Sequence, residues 1–260
     1  MFCSIITPVY NRAWCVERAL NSALKFLGNE IRGEIIVVDD GSSDSSVTVV
    51  ENFFNYARSA DIRCTLVRHK KNLGVCAAKN SGAKAASGEW LIFLDSDDEL
   101  LPLVGRATQE ALNSKAQCPL HFFSCVDEES ECSVEIDRII ERNFNDYLRY
   151  GTDGEKLPIV KRSVFNRFPY DEDMPGYESL SYLRIIRNYE SACLHSMSVR
   201  RYYTSNQDRL STSPNLRRRS ARLAVGHLRI LDEHHKAMNS INIIRYLLKY
   251  AKSKVIFLQS

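Results

Sequence analysis

The segment Trp90-Leu-Ile-Phe-Leu94 runs directly into Asp95, Asp97, Asp98 and Glu99, four acids within five positions. Five consecutive apolar residues without polar alternation read as a short strand covered on both faces, the pattern of a parallel sheet between helices. No other stretch constrains the fold as much, because two separate layers of the chain must bury it. Carboxylates crowded at its end repel one another unless a positive charge sits among them. A hard divalent cation answers that need. Magnesium commonly takes one or two protein carboxylates and leaves its other positions to water and substrate phosphates. The segment predicts a metal–diphosphate site at the end of a central strand.

Three earlier runs have the same character. Phe2–Val9, Glu34–Val38 and Cys64–Val67 read as strands, separated by helical spacing over 14–27, a helix ending near Ala57 and another over 75–86. The order βαβαβαβ predicts an α/β fold, a Rossmann-like, mainly parallel sheet with helices on both faces. Ligands bind beyond the carboxyl ends of such strands. Pro8–Arg12, Asp39–Asp44 and Asp95–Asp98 all fall at those ends. After Pro102 the pattern loosens into a helix over 103–117, a strand over 120–126 and an acidic segment over 127–141. Strand and helix pieces follow at 157–160 and 162–165, and an amphipathic helix at 179–187. A catalytic domain over 1–205 is expected, with its nucleotide half in 1–100 and its acceptor half in 101–205. A linker near Ser205–Pro214 leads into a basic helical segment over 206–260.

The 260 residues are 44% hydrophobic, enough for one large domain with an appendage. The net charge of +3 hides a division: residues 200–260 hold 13 Lys/Arg against 3 Asp/Glu, and residues 1–199 hold 22 against 29. Ile241, Ile244, Leu248, Ala251, Val255 and Leu258 keep helical spacing beside Arg245, Lys249 and Lys252, which makes a basic amphipathic helix. Such a helix over 216–258 either rests on an anionic membrane surface or forms a hairpin that dimerises or packs on the body. The eight cysteines form no CxxC pair and read as small buried hydrophobes. Cys118, Cys125 and Cys132 recur every seven residues, too sparse a spacing for zinc. The first strand begins almost at Met1, which leaves no room for a signal peptide, and no apolar run is long enough to span a bilayer. The expected location is cytoplasmic, at the inner face of the plasma membrane if the tail binds lipid.

Each rim motif has a plain structural reading beside a chemical one. Asp39-Asp40-Gly41-Ser42-Ser43-Asp44 is a turn with a helix cap, or a carboxylate pair that accepts a base N–H and a ribose hydroxyl. Asp95-Ser96-Asp97-Asp98 is an acidic loop or a metal site; Leu100 and Arg106 stand where a calcium EF-hand needs Gly and Glu. Lys79 and Asn80 sit on a small-residue helix and either pack or meet a diphosphate. Glu178 follows Met174-Pro175-Gly176-Tyr177 and is a first-turn acid or a general base. His234 and His235 read as solvated surface.

Taken together, SIITPVYNR (4–12), EIIVVDDGSSDSS (34–46), NLGVCAAKNSGAKAASGEWLIFLDSDD (72–98) and, more loosely, PGYES (175–179) resemble the family 2 glycosyltransferases of bacterial surface-polysaccharide type, which have the GT-A fold. RYYTSNQDRLS (201–211) is similar to the strand and loop that close the family's active site. The resemblance implies that Asp39 or Asp40 binds the uracil of a UDP-sugar and that Pro8, Tyr10 and Arg12 line the nucleotide pocket. It implies that Lys79, Asn80 and Ser96 border the donor. Asp97 would hold Mg2+ or Mn2+ against the diphosphate, with Asp95 toward the ribose or the metal's shell. It further implies inversion by direct displacement, with Glu178 as base and nearby Asp171, Glu172 and Asp173 as alternatives. The family's Glu-Asp pair is here Glu178-Ser179, and Lys79 stands where Arg is common. The expected reaction moves a hexose-type sugar to a hydroxyl of a glycan or an undecaprenyl-diphosphate-linked acceptor, in O-antigen, lipopolysaccharide or capsule assembly.

The rivals are a nucleotidyltransferase of related topology and a non-catalytic sugar-nucleotide-binding module. The first wants a Gly-rich basic loop after the first strand, which Pro8-Val-Tyr-Asn-Arg12 does not supply. The rim acids oppose a phosphate backbone, so no nucleic acid partner is expected.

Overall fold

Residues 2–28, 31–57, 62–130, 137–203 and 216–259 are described by a computed structural model. At the centre of its sheet, β1 (Phe2–Val9) pairs in parallel with β2 (Arg32–Asp39) and with β4 (Trp90–Phe93), and β2 pairs in parallel with β3 (Arg63–Arg68). The apolar runs divide by parity between two cores. Ile5, Ile35, Val37 and Ile92 pack under α1 (Val16–Leu27) and α2 (Ser46–Ala57). Ile6, Ile36, Val38, Leu91 and Phe93 pack under α3 (Val75–Ala85) on the other face. Small residues let α3 lie close: a Cβ on Gly82 would stand 2.3 Å from Ile6 Cγ2.

Beyond β4 the sheet turns mixed. β8 (Lys156–Lys161) runs antiparallel to β4, and β6 (Leu120–Asp127) runs antiparallel to β8. β9 (Ser191–Tyr202) then runs parallel to β6 and carries two short antiparallel partners. These are β7 (Ile139–Asn143) on its first half and β5 (Glu99–Leu100) near its end. The strand order is β3-β2-β1-β4-β8-β6-β9-β5. Sequence periodicity does not reveal β9, because Ser191–Tyr202 mixes apolar residues with His195, Ser196, Ser198 and Arg200.

Among the remaining helices are α4 (Gly105–Ser114), α5 (Phe144–Tyr150), the short α6 (Arg162–Phe165), α7 (Ser179–Tyr189), α8 (Leu216–His234) and α9 (Ser240–Gln259). The stretch expected as a linker, Ser205–Pro214, lies outside the described residues. The last two helices pack on the body, since Ile230, Leu231, Met238 and Tyr246 belong to the α3-side core. His234 is also buried there, edge-on to Phe144, which corrects its reading as solvated surface. No helix among the described residues is long and apolar enough to cross a membrane.

Candidate active site

Three loops meet at the carboxyl ends of β1, β2 and β4. After β1 the chain turns through Asn11 in a left-handed conformation (φ 53°). The loop after β2 fixes this turn. Asn11 N–H donates to Ser42 Oγ at 3.0 Å, and Asn11 Oδ1 accepts from Ser43 N–H at 2.8 Å. Arg12 N–H donates to Ser46 Oγ at 2.8 Å and Ala13 N–H to Asp44 Oδ2 at 3.1 Å. Asp44 also accepts from Ser46 N–H at the head of α2. The Ser-Ser-Asp part of the motif is therefore a brace, and it places half-buried Arg12 and half-exposed Tyr10 at the mouth, above buried Pro8.

Asp39 and Asp40 are both 3% exposed but differently engaged. Asp40 Oδ1 accepts from Leu73 N–H at 2.9 Å and meets His69 Nδ1 at 2.7 Å, and its Oδ2 accepts from Gly74 N–H at 2.8 Å. Asp39 accepts one longer bond, from Ser42 N–H at 3.2 Å, with Arg68 Nε 4.0 Å away. Gly41 lets the two loops touch. It has φ +75°, and a Cβ there would lie 2.7–2.9 Å from backbone atoms of Lys71 and Asn72.

At the end of β4 each acid has its own surroundings. Asp95 pairs with Lys79 Nζ at 2.9 Å and lies 4.0 Å from Arg200. Burial pushes its carboxyl up, but Lys79 and Arg200 outweigh burial and hold it below the usual range. Lys79 is likewise disfavoured by burial, yet Asp95 and Glu178 raise its pKa. Ser96 is buried at the same corner. The Asp97 carboxylate accepts no hydrogen bond from a described residue, while its backbone carbonyl accepts from Arg18 Nη2 at 2.6 Å. Asp98 is buried 3.3 Å from Arg200. Burial raises its pKa to about 7: Arg200 opposes the rise, and the charges of Asp95 and Asp97 add to it. Glu99 is held by Arg18 at 3.0 Å and by Tyr203 Oη at 2.5 Å. Arg18 in turn stacks over the Tyr203 ring, 3.7 Å from its centroid. An uncommitted carboxylate beside one driven toward protonation is a donor set that fits a hard divalent cation.

The segment before α7 forms the opposite wall. Asn80 spends both amide hydrogens there, on Tyr170 O at 2.9 Å and Glu172 Oε1 at 3.1 Å, and accepts from Tyr170 N–H at 3.1 Å. It has no N–H left for a diphosphate, so its place beside Lys79 in the sequence misled: it is a clamp. Asp171 and Asp173 are also committed. Asp171 holds Arg184 through two bonds of 2.8 and 2.9 Å, and Asp173 holds Arg229 at 2.7 and 3.1 Å. Glu178, half-buried at the N-cap of α7, makes no side-chain cap bond. Its charge acts on both Cys76 and Lys79, which brings it to the Asp95 side of the rim. The preceding Tyr177 lies against α8, where a Cβ on Gly226 would stand 2.5 Å from its ring. Arg222 donates to Pro175 O at 3.1 Å. The C-terminal helices thus brace the loop that carries Glu178.

Arg18 and Arg200 are the site residues that sequence reasoning missed. Arg18 sits on the exposed side of an amphipathic helix pattern, and Arg200 lies in a strand without periodicity. The acidic excess at Asp95–Glu99 was the one available signal that cations must arrive from elsewhere.

Residues 4–167, well over half of the chain, match the model of Glycosyl transferase family 2. The chain belongs to that family, and its mixed sheet with helices on both faces is the GT-A fold. It is 26% identical over 234 residues to the GalNAc(5)-diNAcBac-PP-undecaprenol beta-1,3-glucosyltransferase of Campylobacter jejuni, covering 87% of this chain and 72% of that protein. EpsJ of Bacillus subtilis, an uncharacterized glycosyltransferase, is 38% identical over 109 residues, covering 42% of this chain and 30% of EpsJ. Of six further curated relatives the chain spans 26% to 48% of their length. Among solved structures, Staphylococcus aureus TarS with UDP-GlcNAc superposes with a TM-score of 0.70 at 16% identity, over 99% of this chain and 72% of that one. The mannosyltransferase PcManGT of Pyrobaculum calidifontis, with GDP-Man and Mn2+, gives 0.66 at 18% identity, over 98% and 73%.

Proposed function

We propose that this glycosyltransferase inverts the anomeric centre as it moves a hexose-type sugar from a UDP-sugar to a hydroxyl of an undecaprenyl-diphosphate-linked glycan, in surface-polysaccharide assembly. The placement of Asp39, Asp95 and Asp97 at the carboxyl ends of β2 and β4, with Lys79 paired to Asp95 and within electrostatic reach of Glu178, carries the reading. Asp39, with the freer carboxylate, takes the base N–H, and Asp40 holds the pocket wall. Tyr10, Arg12 and Pro8 border the nucleotide. Asp97, with Asp95 beside it, would hold Mn2+ or Mg2+, which when bound neutralises charge growing on the leaving diphosphate. Glu178 takes the proton of the acceptor hydroxyl as that oxygen attacks C1 from the face opposite UDP. The braced loops hold both partners in line. UDP with Mn2+ should bind the wild-type chain in calorimetry, and a donor screen should release UDP. No binding heat, or full turnover in Asp97→Ala, defeats the reading.

The acceptor's carrier fits the C-terminal hairpin. Ile241, Ile244 and Leu248 are 58–64% exposed and share a shallow apolar groove with Arg245, Lys249 and Lys252. An apolar row rimmed by cations matches an anionic leaflet, and the Campylobacter relative acts on an undecaprenol-linked substrate by its name. Co-sedimentation with phosphatidylglycerol vesicles, lost in Leu248→Glu, supports this surface. A concentration-dependent dimer that the same change disrupts, without vesicle binding, assigns the face to a second copy instead.

A further inference from the structure

Three metal-ligating side chains meet in the half of the sheet that the rim does not use. Cys118 precedes β6, His121 is the second residue of β6, and Cys193 lies beside His121 in the parallel register of β9. One ligand atom from each falls within 4.8 Å of the other two, and all three residues are buried. β4 and β6 both run antiparallel to β8, so they run the same way. His121 packs edge-on against Trp90, at the start of β4. The cluster is therefore at the opposite end of the sheet from Asp95 and is separate from the nucleotide rim.

The hydrogen bonds behind His121 fix how its ring is oriented. His121 Nε2 meets Cys118 O at 3.0 Å, its Nδ1 meets His195 Nε2 at 2.9 Å, and His195 Nδ1 meets Asp137 Oδ2 at 2.5 Å. With Asp137 as a carboxylate, three contacts need three hydrogens, and two neutral imidazoles carry two. A metal on His121 Nε2 removes the need for the third hydrogen. The Nε2 lone pair then goes to the metal, Nδ1–H donates to His195 Nε2, and His195 Nδ1–H donates to Asp137. A carboxylate-backed hydrogen-bond chain of this kind commonly fixes the tautomer of a ligating histidine.

We propose that Cys118, His121 and Cys193 form a structural site for a borderline-soft divalent cation, zinc by its donor set. Two thiolates and one imidazole suit zinc over magnesium or manganese, which prefer oxygen. The carboxylate of Glu141 lies outside this three-residue cluster and can complete the set only by turning from Lys115. It is paired with Cys193 in the antiparallel β7–β9 register, so both side chains share a face, and its charge acts on both thiols. Lys115, now 2.7 Å from Glu141, releases it on loading. One zinc ion displaces both thiol protons to solvent, while the two hydrogens of the neutral imidazole pair come to rest on His121 Nδ1 and His195 Nδ1. The ion joins the turn before β6 to β7 and β9, and β9 is the strand that carries Arg200 to the rim.

The test uses the full chain with any affinity tag removed. Metal analysis after purification without chelator should find close to one zinc per chain. After stripping with EDTA, zinc alone should rebind in calorimetry with a stoichiometry near one. Cobalt(II) in its place should show a thiolate charge-transfer band and tetrahedral d–d bands. Cys118→Ser and Cys193→Ser should each weaken zinc binding at least ~100-fold, while Cys3→Ser, at another buried thiol, and Asp97→Ala leave it unchanged. The cobalt spectrum of the wild-type chain needs no variant to fold. Failure to rebind zinc, a cobalt spectrum without the thiolate band, or binding that survives Cys193→Ser overturns the site. So does recovery of a Cys118–Cys193 disulfide in place of bound metal.

Discussion

Replacing Asp40 by Asn separates the work of the two acids that end β2. Asp40 accepts from Leu73 N–H and contacts His69 through one oxygen, and accepts from Gly74 N–H through the other, all at 2.7–2.9 Å and out of solvent. Asn offers one oxygen and one NH2 group, so in either orientation a backbone N–H faces another donor. With the oxygen kept toward Leu73 and His69, Gly74 N–H loses a charged acceptor, about 1.5–3 kcal/mol, and the buried donor left without a partner costs a further ~1–3 kcal/mol. We expect Asp40→Asn to lower the unfolding free energy by about 3–5 kcal/mol in urea titrations. Asp39→Ala removes the 3.2 Å bond from Ser42 and the 4.0 Å pairing with largely exposed Arg68. It should lower stability by about 1 kcal/mol yet weaken UDP binding by roughly 10- to 100-fold, the worth of one charged hydrogen bond to the base. Both quantities are measured on the same preparations, by urea denaturation and by calorimetry with Mn2+. If Asp40→Asn keeps the wild-type midpoint and loses UDP binding, the reasoning fails, and Asp40 is the residue that reads the base.

Other residues give contrasting outcomes. Glu178→Gln should lower kcat by about 10²- to 10⁴-fold and leave the Mn2+–UDP affinity unchanged; equal turnover would remove it as the base. Arg200→Met strips Asp95 and Asp98 of a buried partner, and its unfolding free energy should fall by about 3–5 kcal/mol. Burial, aided by Arg187 and Arg184 against the pull of Glu233, holds His234 at about 4. The unfolded chain takes up that proton near pH 6.5 and the native chain resists it. Stability from neutral His234 is therefore complete above pH 6.5 and falls by about 3 kcal/mol toward pH 4. His234→Gln should flatten that slope in chemical denaturation at stepped pH, and an unchanged slope would contradict its burial as neutral.

The parts of this molecule legible in its sequence are those whose cause is local. β1, β2 and β4 announce themselves because each is a largely apolar run followed within two residues by Asn or Asp. β9 does not, because the burial of His195 and Arg200 depends on Asp137, Asp98 and Glu155, which lie 45 to 102 positions away in the chain. His234 sits in a polar helix, and only Phe144 and Arg187 make it a core residue. Asn80 looked like Lys79's companion, but adjacent residues on a helix point in different directions, and its amide meets Tyr170 instead.

The same distinction explains the run Asp95–Glu99. Its acids look equivalent in one dimension, and their roles are set by cations arriving from three separate elements. Lys79 comes from α3 to Asp95, Arg200 from β9 to Asp98, and Arg18 from α1 to Glu99. Arg200 also engages Glu155 at 2.5 Å. Five carboxylates, including Asp97 and Glu155, thus share three cations, and Glu178 acts on Lys79 as well, a negative balance that the divalent ion proposed above would offset. Among the described residues none donates to or pairs with the Asp97 carboxylate, so the proposed ion would find its ligand there. Burial comes first in raising Asp98 to about 7 and the charges of Asp95 and Asp97 add to it, so a cation held at Asp97 would bring that pKa back toward the usual carboxylate range.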